Sequence, residues 1–210
     1  MKLYGDVKEL MREPECALVL SNHQSDVDWA VAVMLAARQG PHGNEASYRV
    51  MVKHVIHFVP LFGWYVFQGI PEFKNVLSPR VGGIFMSLER LETLDAVYDV
   101  TIGYGQTRLP KRRGLAPNMF EFTCGGLAGR TLSIHVKRHS AKEMRMSRKE
   151  LQEWTIKAYQ EKDKLLESFY ETGEFPEPVS LNEPSVSIYR TLPPTLCFVA
   201  ALVAPFYVPA

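Results

Sequence analysis

The residues best placed to do chemistry are Asn22, His23 and Asp28, in the run Ser21-Asn22-His23-Gln24-Ser25-Asp26-Val27-Asp28-Trp29. An imidazole works as a general base when a second group holds its tautomer, and a carboxylate five residues further on can do so across a tight turn. With a helix beginning near Asp26, Asp28 lies in its first turn and reaches back to His23. The positive end of that helix disfavours imidazolium and keeps the base neutral. A plainer reading exists, because Ser25-Asp26-Val27-Asp28 also fits a capping box, in which Asp28 only accepts a backbone hydrogen bond. The His-to-Asp spacing alone is weak, but Asn directly before His in a strand-turn-helix setting is specific.

The elements needed to position these groups are legible on both sides. Ala17-Leu18-Val19-Leu20 reads as a short buried strand, so His23 falls just past its C-terminal end, and Val27 to Arg38 is apolar, Ala-rich and helix-permissive. Val50 to Phe67 is rich in aromatic and β-branched residues around Pro60 and Gly63, with Lys53, His54 and His57 as its polar members. His54 and His57 lack a third ligand and make a poor zinc site, so no metal is expected. Val81 to Leu91 reads as a helix and Ala96 to Ile102 as a buried strand. Leu132 to Lys137 alternates as a half-buried edge strand would. Ser147 and Glu150 form a capping box for a long amphipathic helix, whose stripe is Leu151, Trp154, Ala158, Leu165, Leu166 and Phe169; Gly173 ends it.

Asn22-His23-x4-Asp28 resembles the first signature of the glycerolipid acyltransferases. Further blocks follow in the family's order: Lys53 with Val59-Pro60-Leu61-Phe62-Gly63-Trp64-Tyr65, then Val76-Leu77-Ser78-Pro79-Arg80, then Leu94-Asp95-Ala96-Val97-Tyr98-Asp99-Val100-Thr101. From Tyr4 onward the chain is similar to 1-acylglycerol-3-phosphate acyltransferases of the lysocardiolipin and epsilon type. The resemblance implies an α/β domain, its sheet flanked by helices, with a helical C-terminal region. It also implies acyl transfer from acyl-CoA, as co-substrate and not cofactor, to a lysophospholipid hydroxyl, with His23 as general base and Asp28 as its orienting partner. Asn22, Lys53 and Arg80 would then contact substrate. For Lys53 the alternative is a snorkelling surface lysine, and for Arg80 a helix-start salt bridge of little energetic weight. No seryl nucleophile is implied, and no Gly-x-Ser-x-Gly elbow occurs.

One interval departs from the family pattern. A Gly-containing strand ending in Arg and a Phe-Pro-Glu-Gly-Thr-Arg block belong between the Pro-Leu-x-Gly and Val-Leu-x-Pro-Arg segments. Here Gln68 runs through Gly69-Ile70-Pro71-Glu72-Phe73-Lys74-Asn75 straight into Val76. Gly82-Gly83-Ile84-Phe85, Ile70-Pro71-Glu72-Phe73 and Phe175-Pro176-Glu177-Pro178 only echo the missing blocks, since none carries the following residues. The expectation is therefore a chain that keeps the base and loses much of the head-group cradle. Its alternative function is that of a catalytically impaired form retaining lipid association.

Composition is consistent with this reading. A 210-residue chain with 46% apolar residues and net charge +1 has no global attraction to nucleic acid. Cys16, Cys124 and Cys197 are too few and too scattered for a disulfide framework. Met1 to Arg12 is charged and carries no signal-peptide pattern. Gly103-Tyr104-Gly105 lacks the third glycine of a dinucleotide site. Lys111-Arg112-Arg113, Lys137, Arg138, Arg145, Arg148 and Lys149 make the middle basic, as a solvated face or as a face toward an anionic bilayer. Thr191 to Ala210 is uncharged and of spanning length, although Pro193, Pro194, Pro205 and Pro209 interrupt it. The expected organisation is an acyltransferase-like domain over 1–110, shortened near 68–72, an accessory region over 111–175, a linker over 176–190 and a partial membrane segment over 191–210. The expected location is a membrane, the endoplasmic reticulum first and a mitochondrial membrane as the alternative.

Overall fold

The computed structural model describes residues 1–40, 43–44, 47–49, 73–109, 112–124, 126 and 129–179. The expectations for Lys53, His54 and His57, and for the segment 191–210, fall outside these residues. In chain order the strands are β1 (Lys2–Gly5), β2 (Ala17–Ser21), β3 (Ala96–Tyr104), β4 (Arg108–Leu109), β5 (Arg112–Arg113) and β6 (Leu132–Ser140). The helices are α1 (Val7–Arg12), α2 (Asp28–Ala36), α3 (Val81–Arg90), α4 (Met119–Thr123), α5 (Ala141–Met144) and α6 (Arg148–Thr172). Among the described residues none is long and apolar enough to cross a membrane.

The strands β1, β6, β3 and β2 form one mixed sheet in that order. β2 runs parallel to β3, with Leu20 opposite Asp99 and Ser21 opposite Val100, while β6 runs antiparallel to β3 and parallel to β1. This gives an α/β fold with helices on the sheet, as the sequence implies. Two expectations change. β6 is interior and not an edge, because β1 covers its far side; the charged N-terminal segment hid that strand. The sheet also crosses the boundary expected at 110/111, since β6 pairs with β3, and residues 1–179 form one compact unit.

β3 is buried along its whole length, and alternate residues serve opposite faces. Val97, Asp99 and Gly103 face α6: Val97 packs in a cluster with Leu151, Asp99 pairs with Lys162, and Gly103 lies against Phe169. Tyr98 and Tyr104 point the other way, to Glu15 and to Asp28 of α2. Burial on both faces explains the near-continuous apolar run in β3.

α6 forms where the spacing predicts. Its Ser147 side chain accepts from Glu150 N–H at 3.3 Å, and Glu150 accepts from Ser147 N–H at 2.9 Å. Gly173 ends the helix in the left-handed conformation at φ 89°, which glycine adopts without steric cost. Leu151, Ala158, Leu166 and Phe169 are buried along one stripe. So are Thr155 and Lys162. The helix runs across the sheet from Leu18 and Val97 near its start to Tyr4 and Phe175 near its end.

Candidate active site

β2 ends at Ser21, and the chain crosses a short turn into α2, whose first residue is Asp28 and not the residues near Asp26 expected from sequence. The turn is built around the Asp28 carboxylate, which is 8% exposed. Its Oδ2 lies 2.8 Å from His23 Nδ1 and accepts from the N–H groups of Gln24 at 2.8 Å and Ser25 at 3.0 Å. Its Oδ1 accepts from Tyr104 Oη at 2.6 Å. The carboxylate thus meets both the Ser25 backbone and the imidazole, but the reciprocal capping box is not formed: α2 has no side-chain cap, and Ser25 Oγ accepts from Val27 and not from Asp28. Ser25 Oγ accepts from Val27 N–H at 3.1 Å and donates to the Pro117 carbonyl, which ties the turn to the loop before α4.

The geometry fixes the tautomer. An ionised carboxylate accepts only, so His23 Nδ1 carries the hydrogen and Nε2 keeps its lone pair. The His23 side chain is 69% exposed and lines a cleft of about 470 Å³ with Gln24, Ser25, Gln106, Pro117 and Asn118. A neutral, oriented imidazole open to a cleft can take a proton from a hydroxyl held there. Tyr104 does not compete for that task, because burial, and then its bond to Asp28, pushes its phenol well above the usual value of 10.

Asn22 differs from expectation. It is buried, and its side-chain amide is spent on β3: Oδ1 accepts from Ile102 N–H at 2.7 Å and Nδ2 donates to the Ile102 carbonyl at 3.0 Å. This amide latches the turn to the sheet, and Asn22 is not among the residues lining the cleft. Arg80 is exposed, stands at the N-cap of α3 and is not among the residues lining the cleft. No Lys or Arg lines the cleft among the described residues; its acidic members are Asp26 and Glu121.

Sequence reasoning missed Tyr104, Pro117 and Lys162. Tyr104 was detectable, since it continues the even-numbered face of β3 two residues beyond the expected strand end. Lys162 is fully buried. Its Nζ donates to the carbonyls of Leu20 at 3.0 Å and Val100 at 2.7 Å and pairs with Asp99. Burial pulls its pKa below the usual lysine value, against the opposing effect of Asp99. Three acceptors match the three N–H groups of an ammonium, so the charged form is the one that fits.

A family model described as Acyltransferase matches residues 6–70, and one described as Acyltransferase C-terminus matches residues 126–201. The first contains the His23–Asp28 turn and the second contains β6 and α6. The chain is similar to mouse (Mus musculus) 1-acyl-sn-glycerol-3-phosphate acyltransferase epsilon, at 27% identity over 92% of the chain and 69% of the relative. It is 28% identical to the probable 1-acyl-sn-glycerol-3-phosphate acyltransferase 5 of Arabidopsis thaliana, over 76% of the chain and 55% of the relative. It is 32% identical to the 2-acyl-1-lysophosphatidylinositol acyltransferase of Saccharomyces cerevisiae, over 51% of the chain and 28% of the relative. The match to the mouse protein runs over 263 positions, more than the 210 residues of the chain, so that relative carries residues with no counterpart here. No solved structure matches.

Proposed function

Because this chain belongs to the acyltransferase family, we propose that its reaction is transfer of a fatty acyl group from acyl-CoA to the free hydroxyl of a lysophospholipid, lysophosphatidic acid or a near relative. The observation that carries the proposal is the 2.8 Å contact between His23 Nδ1 and Asp28 at the edge of the cleft. His23 Nε2 takes the hydroxyl proton as the oxygen attacks the thioester carbonyl. The carbon–sulfur bond then breaks, the new ester leaves, and the imidazolium returns its proton to the coenzyme A thiolate. Asp28 holds the ring through both transfers and stabilises its charge, so no acyl-enzyme is needed. The activities for which the mouse, plant and yeast relatives are named support this choice of acceptor class.

A second reading, in which this chain turns over far more slowly than a full-length relative, is favoured by the interval after residue 70. The Acyltransferase match stops there, six residues before Val76, and the described lining of the cleft offers no arginine or lysine to a head-group phosphate. Membrane association through the uncharged segment 191–210 belongs to the same proposal, with a bilayer as the place where both substrates are met.

The test is acyl transfer on membranes from labelled acyl-CoA to lysophosphatidic acid, by the chain itself and by a version carrying the missing interior block of a relative between residues 70 and 76. The expected result is little or no product from the chain and His23-dependent turnover from the restored version. Robust turnover by the chain that vanishes with His23→Ala overturns the impaired reading. Turnover indifferent to His23 in the restored version refutes the mechanism.

A further inference from the structure

We propose that Lys162 is a positioning residue for the catalytic turn: from α6, its ammonium binds the ends of β2 and β3 to each other and so fixes where His23 is presented. The proposal rests on the reading of His23 as the base.

The two strands are clasped twice in succession. At the first clasp the ammonium donates to the Leu20 and Val100 carbonyls; at the second, two residues further along each strand, the Asn22 amide bonds the backbone of Ile102 on both sides. His23 follows directly. Among the described residues β2 pairs only with β3, so its C-terminal end is held by the last rungs of that ladder and by these two side-chain contacts.

Packing alone does not account for a lysine here. Position 162 lies on the buried stripe of α6, between Ala158 and Leu166, where an apolar side chain would avoid the cost of desolvating a charge. Among the described residues the other lysines reach solvent, as Lys74 and Lys137 do. Only a group with several donors can bind Leu20, Val100 and Asp99 together. Lys162 belongs to the segment matched by the C-terminal family model and Leu20 to the one matched by the acyltransferase model, so the lysine also gives the accessory region a task at the site.

The test reads the His23 tautomer from long-range ¹H–¹⁵N spectra of the labelled full chain at alkaline pH, with His23→Gln used to assign the ring. In the parent, His23 is held as the Nδ1–H tautomer. The double variant Lys162→Met with Asp99→Asn leaves no unpaired buried charge, and Leu166→Ala supplies a core lesion one turn further along the same helix that removes none of the clasp's hydrogen bonds. The expected result is a three- to tenfold change in tautomer ratio toward Nε2–H in the double variant, about the effect of losing one net hydrogen bond. Leu166→Ala should leave the ratio unchanged, whatever stability it loses. Lys162→Gln, neutral but still a donor, gives the same reading if the double variant does not fold, with a smaller change. A parental spectrum in the folded double variant, or an equal change in Leu166→Ala, overturns the proposal. Asp28→Asn separates the two levels: if it leaves His23 unaffected, the dyad itself fails, whereas if it moves His23 and Lys162 variants do not, only the positioning role fails.

Discussion

The two members of the dyad should differ sharply in what they do for stability. Among the described residues the His23 side chain makes one hydrogen bond, to Asp28, and it is 69% exposed. His23→Ala returns an exposed group to water and leaves Asp28 still accepting from Gln24, Ser25 and Tyr104, so the change should stay within about 0.5 kcal/mol. Asp28→Ala removes the acceptor for all of these. Ser25 N–H is then left buried and unpaired and the buried Tyr104 O–H loses its carboxylate acceptor, at roughly 1–3 kcal/mol each. With the bond to Gln24 also lost, the total comes to about 3–5 kcal/mol, a large part of the roughly 5–15 kcal/mol that holds a domain folded. Asp28→Asn retains one acceptor and gains a donor that Tyr104 can accept. It weakens charge-assisted bonds to neutral ones and should cost about 1–2 kcal/mol. The assay is urea unfolding followed by tryptophan fluorescence, to which Trp29, adjacent to Asp28, contributes. With a slope of about 2 kcal/mol per molar, Asp28→Ala should lower the midpoint by about 2 M, and His23→Ala by no more than about 0.3 M. A midpoint loss for His23→Ala as large as that for Asp28→Ala would refute the division of labour derived from the structure, as would an Asp28→Ala loss below about 0.5 M.

Two further outcomes follow from the packing. Burial lowers the pKa of His135 below the usual 6.5, against weaker opposing fields from Asp99, Glu177 and Asp6 and with Lys162 acting in the same direction as burial. As pH falls below about 6.5 the unfolded chain takes up a proton that the folded chain refuses. Stability should therefore fall on acidification until the folded imidazole itself protonates, and His135→Gln should flatten that limb in thermal melts measured between pH 7 and pH 5. Gly103→Ala should destabilise the protein by about 1–3 kcal/mol in urea titration, because the added Cβ would lie 2.9 Å from the Phe169 ring, which is buried beside Phe175; an unchanged midpoint would mean that α6 can shift there at no cost.

The turn could be read from sequence because its chemistry is local. His23 and Asp28 lie within one strand-to-helix connection, and a strand, a turn and a helix start each have short-range signals. Both capping residues of α6 and its terminal glycine were found for the same reason. What stayed hidden required pairing between distant segments. β1 is four residues with a charged neighbourhood, and only its parallel partner β6 makes it a strand; placing it moves β6 from the edge of the sheet to its interior. Pro117, ninety-two residues from Ser25, has no local mark that would connect it to the turn.

Lys162 and Asp99 are different, because each breaks a local rule in a way that points to the other. Asp99 stands in the middle of a strand buried on both faces, where an unpaired carboxylate would be expelled or neutralised. Lys162 stands at the i+4 position from Ala158 and four before Leu166, within the stripe that packs on that strand. Read separately, the first is an anomaly in a strand and the second a surface lysine on a helix otherwise rich in charge. Read together, two opposite charges on two facing buried stripes have one low-cost arrangement, an ion pair between helix and sheet. That pair joins α6 to β3, and since the same ammonium reaches Leu20, it also ties the helix to β2, the strand that leads into the turn of His23. The residue proposed to couple the C-terminal helix to the His23–Asp28 turn thus had its available signal in its position within the amphipathic pattern, and not in its spacing from any motif.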